Sequence, residues 1–164
     1  MKLLTKALTE KLAKNGRDFE ATRGTEHELD LVSVVRFFNP CGNASWIITQ
    51  DDPQNPDWLF GLCDLGMGFA ELGTVSLEEL ASVTLAFGLG IERDLHFSTK
   101  HRLSAWANAA RANGGTIIDP AQWVAKHSAE GLATAHEGAD ILARRDADRV
   151  DGYDRDDLGE SPDY

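Results

Sequence analysis

The fold of this chain depends on two stretches, Ser45-Trp46-Ile47-Ile48-Thr49-Gln50 and Trp58-Leu59-Phe60-Gly61-Leu62-Cys63-Asp64. Each is a short run of β-branched, aliphatic and aromatic residues, a composition that is typical of strands. A similar run at 31–38 precedes them, and another at 69–75 follows them. The connections between the four runs are too short for parallel crossovers, which need about a dozen residues or more. The sequence therefore predicts an antiparallel meander of four strands.

Helical patterns flank this meander, and one further strand follows it. A leucine spacing of four predicts a helix over 3–14, which Asn15-Gly16 is expected to end. Ser76 and Glu79 form a capping box that predicts a second helix, ending at Gly88. The remaining predictions are loops at 17–30 and 51–57, a strand at 91–97, a helix at 99–113 and a helix start at Asp119-Pro120.

These elements predict an α+β fold. It is a single domain with a mainly antiparallel sheet of about five strands, packed with three to four helices. The chain has 164 residues, enough for one domain with its own core but not for two of ordinary size. We expect three parts: the domain itself at 1–118, a helical extension at 119–145, and an acidic, flexible and disordered tail at 146–164.

Charge and composition exclude several classes of protein. The net charge is −11, and the tail alone holds eight acidic residues against two arginines, so direct nucleic-acid binding is disfavoured. Acidic surfaces instead suit basic protein partners. No apolar run approaches the roughly 18–20 residues that cross a bilayer, and the charged residues at 10–11 lead us to expect no signal peptide at the N-terminus. We therefore expect a cytoplasmic protein whose cysteines, Cys41 and Cys63, are reduced thiols outside any CxxC pair.

The most site-like feature is the polar face of the strand predicted at 91–97. Strict alternation would place Glu92, Asp94 and His96 on one side of that strand. An imidazole beside carboxylates suits acid–base catalysis, and Asp94 with His96 suits a divalent metal. The alternative is that a half-buried strand simply presents its polar side to water. No other cofactor is expected.

Two more carboxylates would join such a site if neighbouring strands brought them there. Asp64 ends one predicted strand, and Glu71 lies just past the following turn. Cys63 would need a partner base such as His96 to act as a nucleophile, and the alternative is that Cys63 is a small apolar residue of the core.

The glycines at 61, 66, 68 and 73 do not form a phosphate loop, because Glu71 stands where a third glycine would be required. They are better explained as turn and bulge glycines. Trp58 opens a strand after a polar stretch and is expected to be partly exposed.

Several blocks of this sequence, taken in order, resemble an uncharacterised bacterial family, domain of unknown function 2958. The blocks are Met1-Lys2-Leu3-Leu4-Thr5-Lys6 with Asn15-Gly16, Ser45-Trp46-Ile47-Ile48-Thr49 with Asp52-Pro53, Phe60-Gly61-Leu62-Cys63-Asp64-Leu65-Gly66, Glu71-Leu72-Gly73-Thr74-Val75-Ser76-Leu77 and Ile91-Glu92-Arg93-Asp94. The resemblance covers roughly residues 1–118, and Ala70 replaces the proline that the family usually has before Glu71. It implies an origin among plasmids and conjugative elements, and it implies no activity.

Three hypotheses of function follow. The first is a non-enzymatic accessory or interaction protein of a mobile element, with a protein partner. The second is a small metal-assisted hydrolase that uses Asp64, Glu71, Glu92, Asp94 and His96, and it requires these side chains to converge in one cleft. The third is an acidic DNA mimic that blocks a defence enzyme, and it requires dense, aligned rows of carboxylates.

Overall fold

The computed structural model of the protein describes residues 2–128 and shows a five-stranded antiparallel sheet with helices on both faces. The strands are β1 (Val35–Phe38), β2 (Ser45–Asp52), β3 (Asn55–Asp64), β4 (Glu71–Ser76) and β5 (Glu92–Arg93). The helices are α1 (Lys6–Thr22), α2 (Leu77–Ser82) and α3 (Leu103–Ala112), with a 3₁₀ turn at Ala86–Gly88 between α2 and β5. The predicted α+β class is confirmed.

By its internal contacts the chain divides into two compact units, residues 1–123 and 124–164. The sheet and helices α1 to α3 belong to the first unit. Of the second unit, residues 124–128 are described, and they are helical. The predicted acidic tail at 146–164, and the predicted extension beyond residue 128, lie outside the described residues. Within residues 2–128, no helix is both long enough and apolar enough to cross a membrane.

The sheet has the strand order β4-β3-β2-β1-β5, so the predicted meander of four strands is confirmed. Ser45 pairs with Asp64, and Cys63 pairs with Glu71, which fixes the register of the three strands at one end of the sheet. Strand β5 then returns to the far side of β1, where Glu92 pairs with Phe38. The β4 and β5 strands are therefore the two opposite edges.

The core has one layer on each face of the sheet, because alternate residues of β2 point in opposite directions. One layer packs Phe37, Ile48 and Leu59 against Leu12 of α1 and Leu80 of α2. The other packs Ile47 and Leu62 against α3, chiefly through its residues Leu103, Trp106 and Ala110. Full burial of each large aliphatic or aromatic side chain contributes about 1.5–3 kcal/mol, so these two layers hold the sheet and its helices together.

Helix α1 is longer than predicted, because Asn15-Gly16 does not end it. The helix continues to Thr22, and Gly16 lies where it crosses β2. A Cβ on Gly16 would lie 2.4 Å from the carbonyl oxygen of Asp51, so only glycine permits this approach. Asn15 donates a hydrogen bond of 2.7 Å from Nδ2 to the carbonyl oxygen of Thr49. The Asn-Gly pair therefore joins the helix to the sheet.

The loop predicted at 51–57 is wrong, because β2 and β3 meet there in a tight hairpin. Asp52 pairs with Asn55, and only Pro53 and Gln54 connect the strands. The Asp52 carboxylate accepts a hydrogen bond of 2.8 Å from the Gln54 amide and closes the turn. The register shifts between Ile48 and Gln50 and again after Asp51 show that this end of β2 is irregular. Such bulges reorient side chains, and they do so here beside α1.

Helix α2 begins at the predicted cap and stops early. The hydroxyl of Ser76 accepts a hydrogen bond of 3.0 Å from the Glu79 amide, as predicted. The carboxylate that completes the cap is that of Asp57, which accepts from the Glu78 amide at 2.8 Å. The helix ends at Ser82, six residues before the predicted stop at Gly88. Residues 83–90 instead follow an irregular path in which Phe87 has the left-handed backbone angle φ 61°.

Candidate functional site

The polar strand face predicted at 91–97 is not formed, because β5 contains only Glu92 and Arg93. The chain turns at Asp94, whose Oδ1 accepts a hydrogen bond of 2.9 Å from the His96 amide. A turn stabilised by an aspartate in this way competes with strand extension, and it ends the alternation of polar side chains. The amide of Asp94 still donates to the carbonyl oxygen of Arg36 at 2.9 Å, so the turn is held against β1. The strand predicted at 91–97 is therefore wrong beyond Arg93.

The five residues of the hydrolase hypothesis do not converge. Glu71 lies on β4 and Glu92 on β5, which are opposite edges of the sheet. Four steps between neighbouring strands, of about 4.8 Å each, separate the two by about 19 Å. The expectation that Asp64 and Glu71 stand beside Glu92, Asp94 and His96 is therefore not met. Of the five, Asp94 and His96 line one depression.

Asp64 is buried and is held by the backbone of two neighbouring segments. Its Oδ1 accepts a hydrogen bond of 2.8 Å from the Gly66 amide, and its Oδ2 accepts one of 3.2 Å from the Ile117 amide. The residue is 1% exposed. Because its neighbour Cys63 pairs with Glu71, the side chains of Asp64 and Glu71 point to opposite faces of the sheet. Asp64 thus joins the β3–β4 turn to the segment after α3.

A depression of about 290 Å³ contains Asp94 and His96, together with Arg36, Trp106, Asp119 and Gln122. Each of the two carboxylates accepts a hydrogen bond from a backbone amide: Asp94 from that of His96, and Asp119 from that of Ala121 at 2.8 Å. Among residues 2–128 there is no group of three or more histidine, cysteine and carboxylate side chains that could hold a metal ion. A metal role for Asp94 and His96 stays a prediction.

Cys63 packs against the core layer beneath α1 and α2. Burial raises the pKa of its thiol to about 11, which leaves very little thiolate at neutral pH. Cys41, in contrast, is exposed in the β1–β2 loop. The environment of Cys63 favours its role as a small apolar residue over that of a nucleophile.

Thiol labelling at neutral pH is expected to separate the two cysteines. A pKa of about 11 leaves Cys63 with roughly a hundredfold less thiolate than an ordinary thiol, so its alkylation by iodoacetamide should be slower than that of Cys41 by at least this factor. Mass spectrometry of the native protein at timed intervals measures both rates. Comparable rates would indicate an activated Cys63 and restore the nucleophile hypothesis.

The sequence did not indicate a second cavity, which lies between α1 and the β2–β3 hairpin. Its volume is about 420 Å³, and Gly16, Phe19, Asp51, Trp58 and Phe60 are among the residues that line it. Asp51 is 4% exposed, and its Oδ1 has no hydrogen-bond partner among the described residues. Burial raises the pKa of this carboxyl, and the nearby Arg17 guanidinium partly opposes that effect. The loop predicted at 51–57 gave no reason to place Asp51 in the sheet. The Asp52…Asn55 spacing of the hairpin was the signal that could have placed it in a strand.

One end of the sheet carries no charged residue in its three connecting segments, 39–44, 65–70 and 83–90. We call these segments the uncharged end. They lie side by side: a Cβ on Gly66 would be 3.1 Å from Asn43, and the Cys41 Sγ lies 4.0 Å from the Ala86 carbonyl oxygen. Its most exposed large apolar side chains are those of Leu65 at 63%, Met67 at 69%, Phe69 at 77% and Phe87 at 98%.

Comparison with known proteins gives one result that identifies the chain. The family model described as "Protein of unknown function (DUF2958)" matches residues 3–117, the part that holds the sheet and helices α1 to α3. Comparison with curated proteins and with solved structures returns no match. The chain therefore belongs to the DUF2958 family of proteins of unknown function.

Proposed function

We propose that the protein is a non-enzymatic accessory protein that binds a protein partner through its uncharged end. The observation that carries this proposal is the exposure of Leu65, Met67, Phe69 and Phe87 in two of the three neighbouring segments that have no charge. Charged residues make up 26% of the whole chain, so this absence of charge is local to one end. Single exposed apolar residues are ordinary on protein surfaces, whereas a group of them is typical of an interaction site.

Phe87 supports the proposal most strongly. Its backbone is left-handed, with φ 61°, a conformation that costs a non-glycine residue about 1–2 kcal/mol. Its side chain is 98% exposed, so no burial within the described residues offsets that cost. Burial against a partner would offset this backbone strain, because an aromatic side chain buries about 150–250 Å² of its surface. Phenylalanine and methionine are also enriched at the centres of protein interfaces.

The charges around the uncharged end indicate the chemistry of the partner. Apart from the buried Asp64, the first acidic residues beyond the segments 65–70 and 83–90 are Glu71, Glu79 and Glu92, while Arg111 lines a depression with Phe69. This mainly acidic border favours a partner that has an apolar patch surrounded by lysine and arginine. A second copy of this chain would bring two acidic borders together, and a DNA mimic would need carboxylates where these apolar side chains stand. The proposal includes a cytoplasmic location, which the sequence predicts. It also includes an origin on a plasmid or conjugative element, which the family resemblance implies.

Site-specific photo-crosslinking in cells tests the proposal. A photoreactive phenylalanine analogue at Met67 or Phe87 is expected to crosslink one protein, while the same analogue at Lys11, exposed on α1, is not. The identified partner is then purified and titrated with the variants Met67→Ser and Phe87→Asn. Asparagine tolerates the left-handed backbone of position 87, so the second variant is expected to remain folded. Each variant should weaken binding at least tenfold, as truncation of a central interface residue does, and Lys11→Ser should leave it unchanged.

Four outcomes would contradict the proposal. Crosslinking at positions 67 and 87 that does not exceed that at Lys11 would mean that no protein covers this end. Crosslinks only to a second copy would indicate a homodimer, and crosslinks only to residues 129–164 of the same chain would indicate an internal cover. Unchanged affinity of both variants for the purified partner would place the binding surface elsewhere.

A further inference from the structure

The buried carboxylate of Asp51 requires an explanation that the fold alone does not provide. Buried polar atoms in native proteins nearly always have a hydrogen-bond partner, and one that lacks a partner calls for an explanation, such as a bound water or ion or a functional role. Asp51 Oδ1 is buried without a partner among the described residues, although Asp51 lines a cavity of about 420 Å³. That volume falls within the range of about 300–1,000 Å³ that is usual for small-molecule sites.

The walls of this cavity combine a charged region with an aromatic one. Phe19 of α1 stacks on Phe60 of β3, with their ring centroids 6.5 Å apart, and Trp58 is 39% exposed on the same face of β3. These rings line the cavity together with Asp51. An aromatic surface beside a carboxylate is the combination that binds organic cations, because the ring faces and the carboxylate both attract positive charge.

The remaining charged residues of the cavity also favour a cation. Glu20 and Asp52 line it with Asp51, and the one basic lining residue, Arg23, already lies 3.5 Å from the Glu20 carboxylate. An anion in the cavity would therefore line up with three carboxylates and one paired guanidinium, while the second guanidinium near Asp51, that of Arg17, is not among the lining residues. A metal ion fits less well, because the described residues contain no group of three side chains that could coordinate one.

We propose that this cavity, the Asp51 pocket, binds a small organic cation that carries an amidinium, guanidinium or ammonium group. The cationic group pairs with the Asp51 carboxylate, and the apolar part of the ligand lies against Phe19, Trp58 and Phe60. Gly16 makes room for this arrangement, because a Cβ at its position would lie 2.7 Å from Asp51 Oδ1. The proposal does not depend on the partner surface of the uncharged end, which involves different residues.

Binding should also depend on pH, with a sign that follows from the burial of Asp51. Burial raises the pKa of this carboxyl, so the ionised form that pairs with a cation becomes less populated as the pH falls. Arg17, Glu20 and Arg23 of α1 and Asp52 of β2 are the charged groups that surround it. Affinity for a permanently charged ligand should therefore decrease as the pH is lowered through the pKa of Asp51, and binding should release protons where Asp51 is partly protonated.

Titration of the full chain with benzamidine and with its neutral analogue benzamide tests the proposal, with calorimetry for affinity and amide NMR for location. We expect benzamidine to bind at least tenfold more tightly than benzamide, since a charge-assisted hydrogen bond contributes about ten- to hundredfold in affinity. Asp51→Asn should remove most of that preference. Asp18→Asn makes the same change of charge on α1 outside the pocket and should leave both affinities unchanged. Agmatine serves as a second, non-aromatic cation.

Asp51→Asn is expected to fold, because it removes a buried charge and keeps the shape of the side chain. Its melting temperature, compared with the wild type, checks this directly. The proposal is overturned if benzamidine and benzamide bind equally, or if Asp51→Asn retains the preference. It is also overturned if neither benzamidine nor agmatine binds at about 10 mM, a concentration at which a millimolar Kd would be measured. NMR changes confined to positions outside residues 16–23, 50–60 and Thr74, which also lines the cavity, would overturn it as well.

Discussion

Gly61→Ala is expected to lower the free energy of unfolding by about 3 kcal/mol or more, at or above the upper end of the roughly 1–3 kcal/mol that overpacking in a core typically costs. Gly61 lies in β3, where its missing side chain allows β2 to approach. A Cβ at this position would be 2.0 Å from the carbonyl oxygen of Ile47 and 2.9 Å from the Ile48 Cα. Both atoms belong to the backbone, so no side-chain rotation can relieve the overlap. Urea unfolding followed by tryptophan fluorescence measures the loss.

Gly73→Ala is the matched control, because Gly73 pairs directly with Gly61 across β3 and β4. A Cβ on Gly73 would have no heavy atom within 4 Å. Alanine at this position should leave stability unchanged or raise it by about 0.4–1 kcal/mol, through the reduced entropy of the unfolded chain. Equal losses at positions 61 and 73 would show that β2 and β3 do not approach each other as described.

Asp64→Ala is expected to lower the free energy of unfolding by about 2–4 kcal/mol. The substitution leaves the half-buried amides of Gly66 and Ile117 without this acceptor, and each unpaired group that is shielded from water costs about 1–3 kcal/mol. Asp64→Asn should lose less, because its one amide oxygen still accepts from one of them. The same unfolding experiment measures both variants.

Glu71→Gln provides the control for Asp64, since the hydrolase hypothesis placed both carboxylates in one site. Glu71 is exposed at the start of β4, so its neutralisation should change stability by less than about 0.5 kcal/mol. If Asp64→Asn and Asp64→Ala were both as stable as the wild type, Asp64 would have no structural role, and a functional explanation of its burial would be needed.

The sheet was predictable from the sequence because its signals are local. Strands β1 to β4 are apolar runs separated by short connections, and short connections permit only antiparallel neighbours. The start of α2 was predictable for the same reason, since the Ser76 cap lies three residues from the amide that it binds. The length of α1 was not predictable, because the need for glycine at position 16 comes from its contact with Asp51 of β2, 35 positions along the chain. A helix-stop signal and a close-packing glycine look alike until the partner strand is known.

The candidate sites were harder to predict than the fold. Alternation predicted a shared face for Glu92, Asp94 and His96, but the Asp94 side chain captures the His96 amide and turns the chain. Asp51 was missed because two prolines and three aspartates indicated a loop, whereas Pro53 and Gln54 form a two-residue turn and leave Asp51 inside β2. The exposure of Phe87 depends on where α2 ends, which the capping box at its start does not determine.

The methyl resonance of Met67 provides the most direct test of the proposed partner surface. Met1 and Met67 are the two methionines of the chain, so a methyl-labelled sample gives one informative signal and one reference. Met67 is 69% exposed at the uncharged end. On titration with the purified partner, the Met67 methyl signal should shift or broaden in proportion to the bound fraction. A partner that binds while this signal stays unchanged would contradict the proposal that the uncharged end is the binding surface.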